Sequence, residues 1–160
     1  MVTMSMANGL GDRVGQLPRT LALATGWALV AGIGSIGLAV PAMVDGEIFG
    51  YTRAAIGVLG LLAAALVISG RWVGLDGRQA LMLWTLAQLP IYADTEGGNL
   101  FRQLFEIPLV MTSQTTVNGV ITHYSAFGLN LFALILLIMI GRQKDSWLRL
   151  QRERTAQVSA

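Results

Sequence analysis

No cysteine occurs among the 160 residues, which excludes disulfides, iron–sulfur ligation and thiolate catalysis from this chain. A single histidine, His123, rules out any site that needs two imidazoles from one copy. Charge is scarce as well: Asp, Glu, Lys and Arg make up 12% of residues, against roughly 25% in a typical soluble chain. The shortage falls in blocks. Thr20–Val44, Ala54–Gly70 and Phe127–Gly141 carry no formal charge, and polar but uncharged residues extend the last block back toward Glu106.

What fills those blocks is apolar, and hydrophobic residues reach 54% overall. An apolar run near ~20 residues matches the hydrocarbon thickness of a bilayer at helical rise. The chain is therefore expected to be an integral membrane protein of the bacterial plasma-membrane type. The first run exceeds the roughly 7–15-residue apolar stretch of a signal peptide. Ala39-Val40-Pro41-Ala42 also lacks a clean small-x-small cleavage pattern, so a retained spanning helix is expected.

Residues 1–19 read as an N-terminal tail, 20–141 as the membrane domain and 142–160 as a basic C-terminal tail. Pro41 marks where the first span stops or kinks. Gly74 and Gly77 break the following loop into a turn. Residues 79–93 are ambiguous, because fifteen residues cover about 22 Å as helix, short of a ~30 Å core. Charge placement decides between a crossing and an interfacial segment. Arg13 and Arg19 lie before the first span, Arg71 and Arg78 in the second loop, and Arg142, Lys144, Arg149, Arg152 and Arg154 after the last span. The segments 44–53 and 94–120 carry only Arg53 and Arg102, against Asp45, Glu47, Asp94, Glu96 and Glu106. Positive residues prefer the cytoplasmic side, so both termini and the 71–78 loop belong inside and the number of crossings is even. The expected fold is an all-α membrane protein, a four-helix transmembrane bundle with a short third span at 79–93 and a fourth from about Ser125 to Gly141. Segment 94–120 is expected outside. Asn118-Gly119 between β-branched flanks is a strong hairpin signal, which predicts a small external β-hairpin.

Gly32-Ile33-Gly34-Ser35-Ile36-Gly37 matches the dinucleotide fingerprint, but that motif needs a preceding strand and an exposed loop. Here it lies inside an apolar run, and helix packing is the better reading. Ala24, Ala28, Gly32, Ser35 and Ala39 share one helix face, and Gly57, Gly60 and Ala64 draw a similar stripe on the second span. Small residues let helix backbones approach closely in lipid. On the third span Thr85, Gln88 and Tyr92 share a face, and Asn130 lies on the fourth. Such polar residues act as interhelical hydrogen bonders or line a polar path. No span holds an ionisable residue of the kind that marks proton or ion pathways.

His123 is expected at the outer start of the fourth helix with Asn130 on the same face. No cofactor is evident, His123 being the one residue that could ligate a haem or chlorin axially. Asp94, Glu96 and Asn99 beside Gly97-Gly98 offer oxygen ligands, but calcium needs six to eight, and no metal site is assigned. The basic tail, with Trp147, Leu148 and Leu150 interleaved, reads as an interfacial helix drawn to anionic headgroups rather than a nucleic-acid binder.

No catalytic constellation emerges, and the chain is not expected to be an enzyme. The leading expectation is a non-enzymatic accessory or scaffold subunit of a larger membrane complex, partnered by lipid and by other membrane subunits. The alternative is an oligomeric small-solute transporter or channel lined by Thr85, Gln88, Tyr92 and Asn130. A third possibility, a lipid-acting enzyme, would need His123 within hydrogen-bond reach of Asp94, Glu96 or Glu106.

Overall fold

The structure, a computed structural model, describes residues 15–69, 71–72, 75–94, 98–99, 107–118 and 120–159. Among the described residues it is mostly helical with two small antiparallel sheets, one of two strands and one of four, so the expected all-α class holds only in part. Helices α1 (Arg19–Val44) and α2 (Ile48–Ser69) form a long antiparallel pair. The ribbon β1 (Arg71–Trp72) and β2 (Leu75–Asp76) leads into α3 (Gly77–Ala87). Strands β3 (Pro90–Asp94), β4 (Gly98–Asn99), β5 (Pro108–Val117) and β6 (Val120–Asn130) follow, then α4 (Leu131–Arg142) and α5 (Lys144–Ser159).

The turn between α1 and α2 is set by one glycine. Gly46 has φ 76, the left-handed conformation that a side chain disfavours. Its N–H donates to the Met43 carbonyl at 3.1 Å, and the Glu47 N–H donates to the Ala42 carbonyl at 2.8 Å. These two bonds are the Schellman pattern that satisfies the last carbonyls of a helix. Pro41 does not break α1. It lies in the last turn, and its carbonyl accepts from the Asp45 N–H at 3.0 Å.

Among the described residues, two helices are long and apolar enough to cross a membrane, Arg19–Val44 and Gly50–Ser69. The other two expected spans are not spanning helices. Helix α3 has 11 residues, about 16 Å at helical rise. Pro90 stops it, because proline biases the preceding residue away from helix, and Ile91-Tyr92 continue as strand. Helix α4 has 12 residues, about 18 Å. Residues 120–130, whose second half is expected to be helical, are instead strand β6, which ends where Asn130 caps α4.

The hairpin at Asn118-Gly119 is present and much larger than expected. Asn118 has φ 53, as a two-residue primed turn requires, and Val117 pairs with Val120. From there β5 and β6 run antiparallel back to Pro108↔Asn130, with one irregularity between Thr115 and Thr116. The four-stranded sheet has order β4-β3-β6-β5, so β6 is flanked by β3 and β5.

The core lies in the helices. Leu17, Leu21, Ala24, Ala28 and Ala31 of the α1 region meet Ala63, Ala64 and Val67 of α2, Leu81 and Trp84 of α3, and Ile140 of α4. Trp147 and Leu150 of α5 belong to the same cluster. Trp147 is fully buried against the protein. Helix α5 therefore docks on the protein by its apolar side and leaves Arg149 and Arg152 exposed.

Candidate functional site

Two constellations predicted from sequence can be followed in space: the small-residue faces and the polar residues near the middle of the chain. All of Ala24, Ala28, Gly32, Ser35 and Ala39 are buried, as are Gly57, Gly60 and Ala64. A Cβ on Gly32 would stand 2.9 Å from the Gly57 carbonyl oxygen, and one on Gly57 would stand 2.7 Å from the Gly32 oxygen. The α1 and α2 backbones thus touch at a reciprocal glycine contact. Gly60 serves a different neighbour. Its missing side chain leaves room for the Trp84 indole, whose Nε1 would stand 2.8 Å from a Cβ on that glycine. The same indole N–H donates to the Ile56 carbonyl at 3.0 Å, tying α3 to α2. Gly77 then lets the start of α3 lie against Leu66 and Val67. One glycine-rich helix, α2, is shared between two neighbours.

The polar residues surround the place where helix gives way to strand. Asn130 is fully buried. Its Oδ1 accepts from the Phe132 N–H at 3.1 Å, capping α4, and from the Ile107 N–H at 3.2 Å. Its own N–H donates to the Leu89 carbonyl at 2.8 Å, and the Leu131 N–H donates to the Ile107 carbonyl at 2.9 Å. Three separate chain segments are held by this one junction: the end of α3, the entry to β5 and the start of α4. The Thr85 hydroxyl donates to the Leu81 carbonyl at 2.7 Å, and Gln88 Nε2 reaches the Trp84 carbonyl at 3.4 Å. Thr85 therefore bonds within its own helix, not across to another as expected. Tyr92 lies in β3 opposite Phe127, and its side chain is outside the described residues.

The structure separates His123 from Asn130. Both lie on β6 rather than on a helix, and seven residues along a strand place side chains on opposite faces. His123 is exposed and sits opposite Thr115. Asp94 ends β3 opposite Ser125, but its side chain, like Glu96 and Glu106, lies outside the described residues. Asn99 pairs with Ala93 in β4. Among the described residues no group of three or more His, Asp or Glu could hold a metal ion.

The Asn130 junction is only half legible in sequence. An Asn directly before LFALILLIMI is a helix-start signal, but apolar residues on both sides of it suit one longer helix equally well. The Ile107 contact, 23 positions away, has no local signal. What the described residues of the site do chemically is satisfy backbone groups: they present donors and acceptors engaged with the main chain. A scan against protein-family models, a search of curated proteins and a search of solved structures each find no match.

Proposed function

We propose that the chain is an integral membrane protein acting as a non-enzymatic accessory or scaffold subunit of a larger membrane complex, both termini on the cytoplasmic side. The observation that carries this reading is how little of its apolar helices the protein itself covers. Only 28% of the apolar window of α1 and 33% of that of α2 are buried. Leu23, Val30 and Ile33 on α1 and Val58, Leu59 and Leu62 on α2 are exposed. A helix at the centre of a soluble domain buries most of such a window, and contiguous exposed apolar surface marks a membrane or protein interface. Helix α1 also supplies Leu21, Ala24 and Ala28 to the core.

The charge distribution supports the orientation. Arg19 starts α1, Arg78 lies at the start of α3, Arg142 ends α4 and Lys144 starts α5. Antiparallel packing brings these to the end of the bundle opposite Asp45 and Glu47. Basic residues flanking apolar helices favour the cytoplasmic face. Two full crossings satisfy the same parity as four, because α3 leaves that end and α4 returns to it. The transport reading has less support, since the described polar groups of its proposed lining are engaged with backbone.

Alkaline extraction of membranes expressing the chain tests the first half of the reading: it should stay in the membrane pellet, and release into the supernatant overturns it. Purification in mild detergent tests the second half. Stoichiometric co-purification of a different membrane protein is expected, and a solitary homo-oligomer with a hydrated central face favours transport instead.

A further inference from the structure

The feature left unused by the packing reading is the outer edge of β5. This strand runs ten residues, Pro108–Val117, and every one of them is exposed. It ends the sheet order, and among the described residues its pairing is with β6 alone. Proteins ordinarily blunt such an edge with charge, proline or a bulge, because its free N–H and C=O groups are a template for another strand. None of these devices interrupts β5. No Asp, Glu, Lys or Arg occurs from Ile107 to Asn130, and Pro108 stands only at the first position. The bulge places its extra residue, Thr122, on β6, since Thr115 pairs with His123 and Thr116 with Ile121. The edge strand itself is left regular.

We infer that the β5 edge pairs antiparallel with β5 of a second copy of this chain, about a two-fold axis at Gln114. That register opposes Gln114 to itself, Ser113 to Thr115, Thr112 to Thr116 and Met111 to Val117, so polar residues meet polar ones and the apolar ends meet each other. Directly opposed cross-strand pairs are the unit of sheet stabilisation, and like charges there would be destabilising. A neutral strand has nothing to repel its own copy and no charge with which to select a charged peptide. Each residue of the patch meets its counterpart reciprocally, as a two-fold interface demands. The pairing joins two four-stranded sheets into one. In a bilayer, two copies inserted the same way share this axis only along the membrane normal, which lays β5 across the normal. The pairing itself does not depend on the membrane reading, because it uses backbone groups outside α1 and α2.

The absence of cysteine makes the test clean. Gln114→Cys, expressed in the full chain and oxidised mildly in native membranes, should give a disulfide-linked dimer. Opposed strand residues have the separation that a disulfide requires. Thr116→Cys is the register control, since its counterpart would lie four residues along the strand, about 13 Å away. About tenfold more dimer from Gln114→Cys than from Thr116→Cys is expected. Equal dimer yields from the two overturn the inference. Gln114→Lys opposes two like charges at an exposed position and should lower the dimer fraction about tenfold with circular dichroism unchanged; an unaltered dimer fraction equally overturns it. Failure here leaves alkaline extraction and heteromeric co-purification untouched, so the two readings fail separately.

Discussion

The α1–α2 pair and the β5–β6 pair are both hairpins closed by a residue in the left-handed conformation, yet they end in opposite conditions. In α1–α2 each helix satisfies its backbone internally, and the interface is made by small side chains. The reciprocal Gly32–Gly57 contact brings the two backbones together, and most of the large side chains left outside are apolar, among them Leu23, Val30, Ile33, Val58, Leu59 and Leu62. In β5–β6 the outer strand finds backbone partners among the described residues on one side only, and Leu109, Met111, Phe127 and Leu129 are exposed beside that edge. The first hairpin is complete as it stands if lipid surrounds it. Among the described residues the second is incomplete in either solvent, because an unpaired edge in lipid costs several kcal/mol per group and in water invites pairing.

The largest expected effect breaks the helical member of that comparison. Gly32→Leu drives a side chain into the Gly57 carbonyl and Leu61, and should destabilise the protein by about 3 kcal/mol or abolish assembly. Thermal unfolding in detergent measures it, and a wild-type midpoint would refute the close-packing account. Next comes the junction that joins the two regions. Asn130→Leu removes the acceptor for the Ile107 and Phe132 N–H groups and should cost about 2 kcal/mol. Hydrogen exchange should accelerate at those two amides, whereas Asn130→Asp, which keeps an acceptor, should restore protection.

A smaller effect is expected at the turn of the helical hairpin. Gly46→Ala forces a Cβ into the left-handed region at a cost of about 1 kcal/mol, read as a modest drop in unfolding midpoint with assembly retained. The smallest separates structure from any polar path. Gln88→Ala gives up a long 3.4 Å bond and should leave the fold intact at a cost of about 1 kcal/mol or less. Unfolding of this variant would show that the helix-to-strand junction depends on Gln88 as well as Asn130.

Much of the helical region is legible in sequence because its signals are local. The uncharged runs, the spacing of Ala24, Ala28, Gly32, Ser35 and Ala39, and the Asn118-Gly119 turn can each be read within a few residues. The second half of the chain is harder. Residues 79–93 and 125–141 are apolar enough for spans, and the competing signals are single residues: Pro90 ending α3 and Asn130 starting α4. A short apolar run does not distinguish strand from buried helix by periodicity alone. The expected placement of His123 beside Asn130 fails for the same reason, since residues seven apart share a face on a helix and not on a strand.

Trp147 shows the same limit at the C-terminal end. Its position among Arg149, Arg152 and Lys144 suits an interfacial helix, and nothing nearby in sequence reveals that Leu17 and Leu21 lie in the same buried cluster.

By itself, the sequence determined the chemistry this chain lacks, the two long apolar helices, the turn that joins them and the turn that joins β5 to β6. These follow from composition, run length and backbone preference, which act over a handful of residues. The tertiary structure alone decided which neighbour each glycine of α2 admits, that three distant segments converge on Asn130, and that β6 is paired on both sides while β5 lies at the edge of the sheet. Those outcomes depend on which hydrogen-bonding groups and surfaces meet across the chain, and residue spacing carries no record of that.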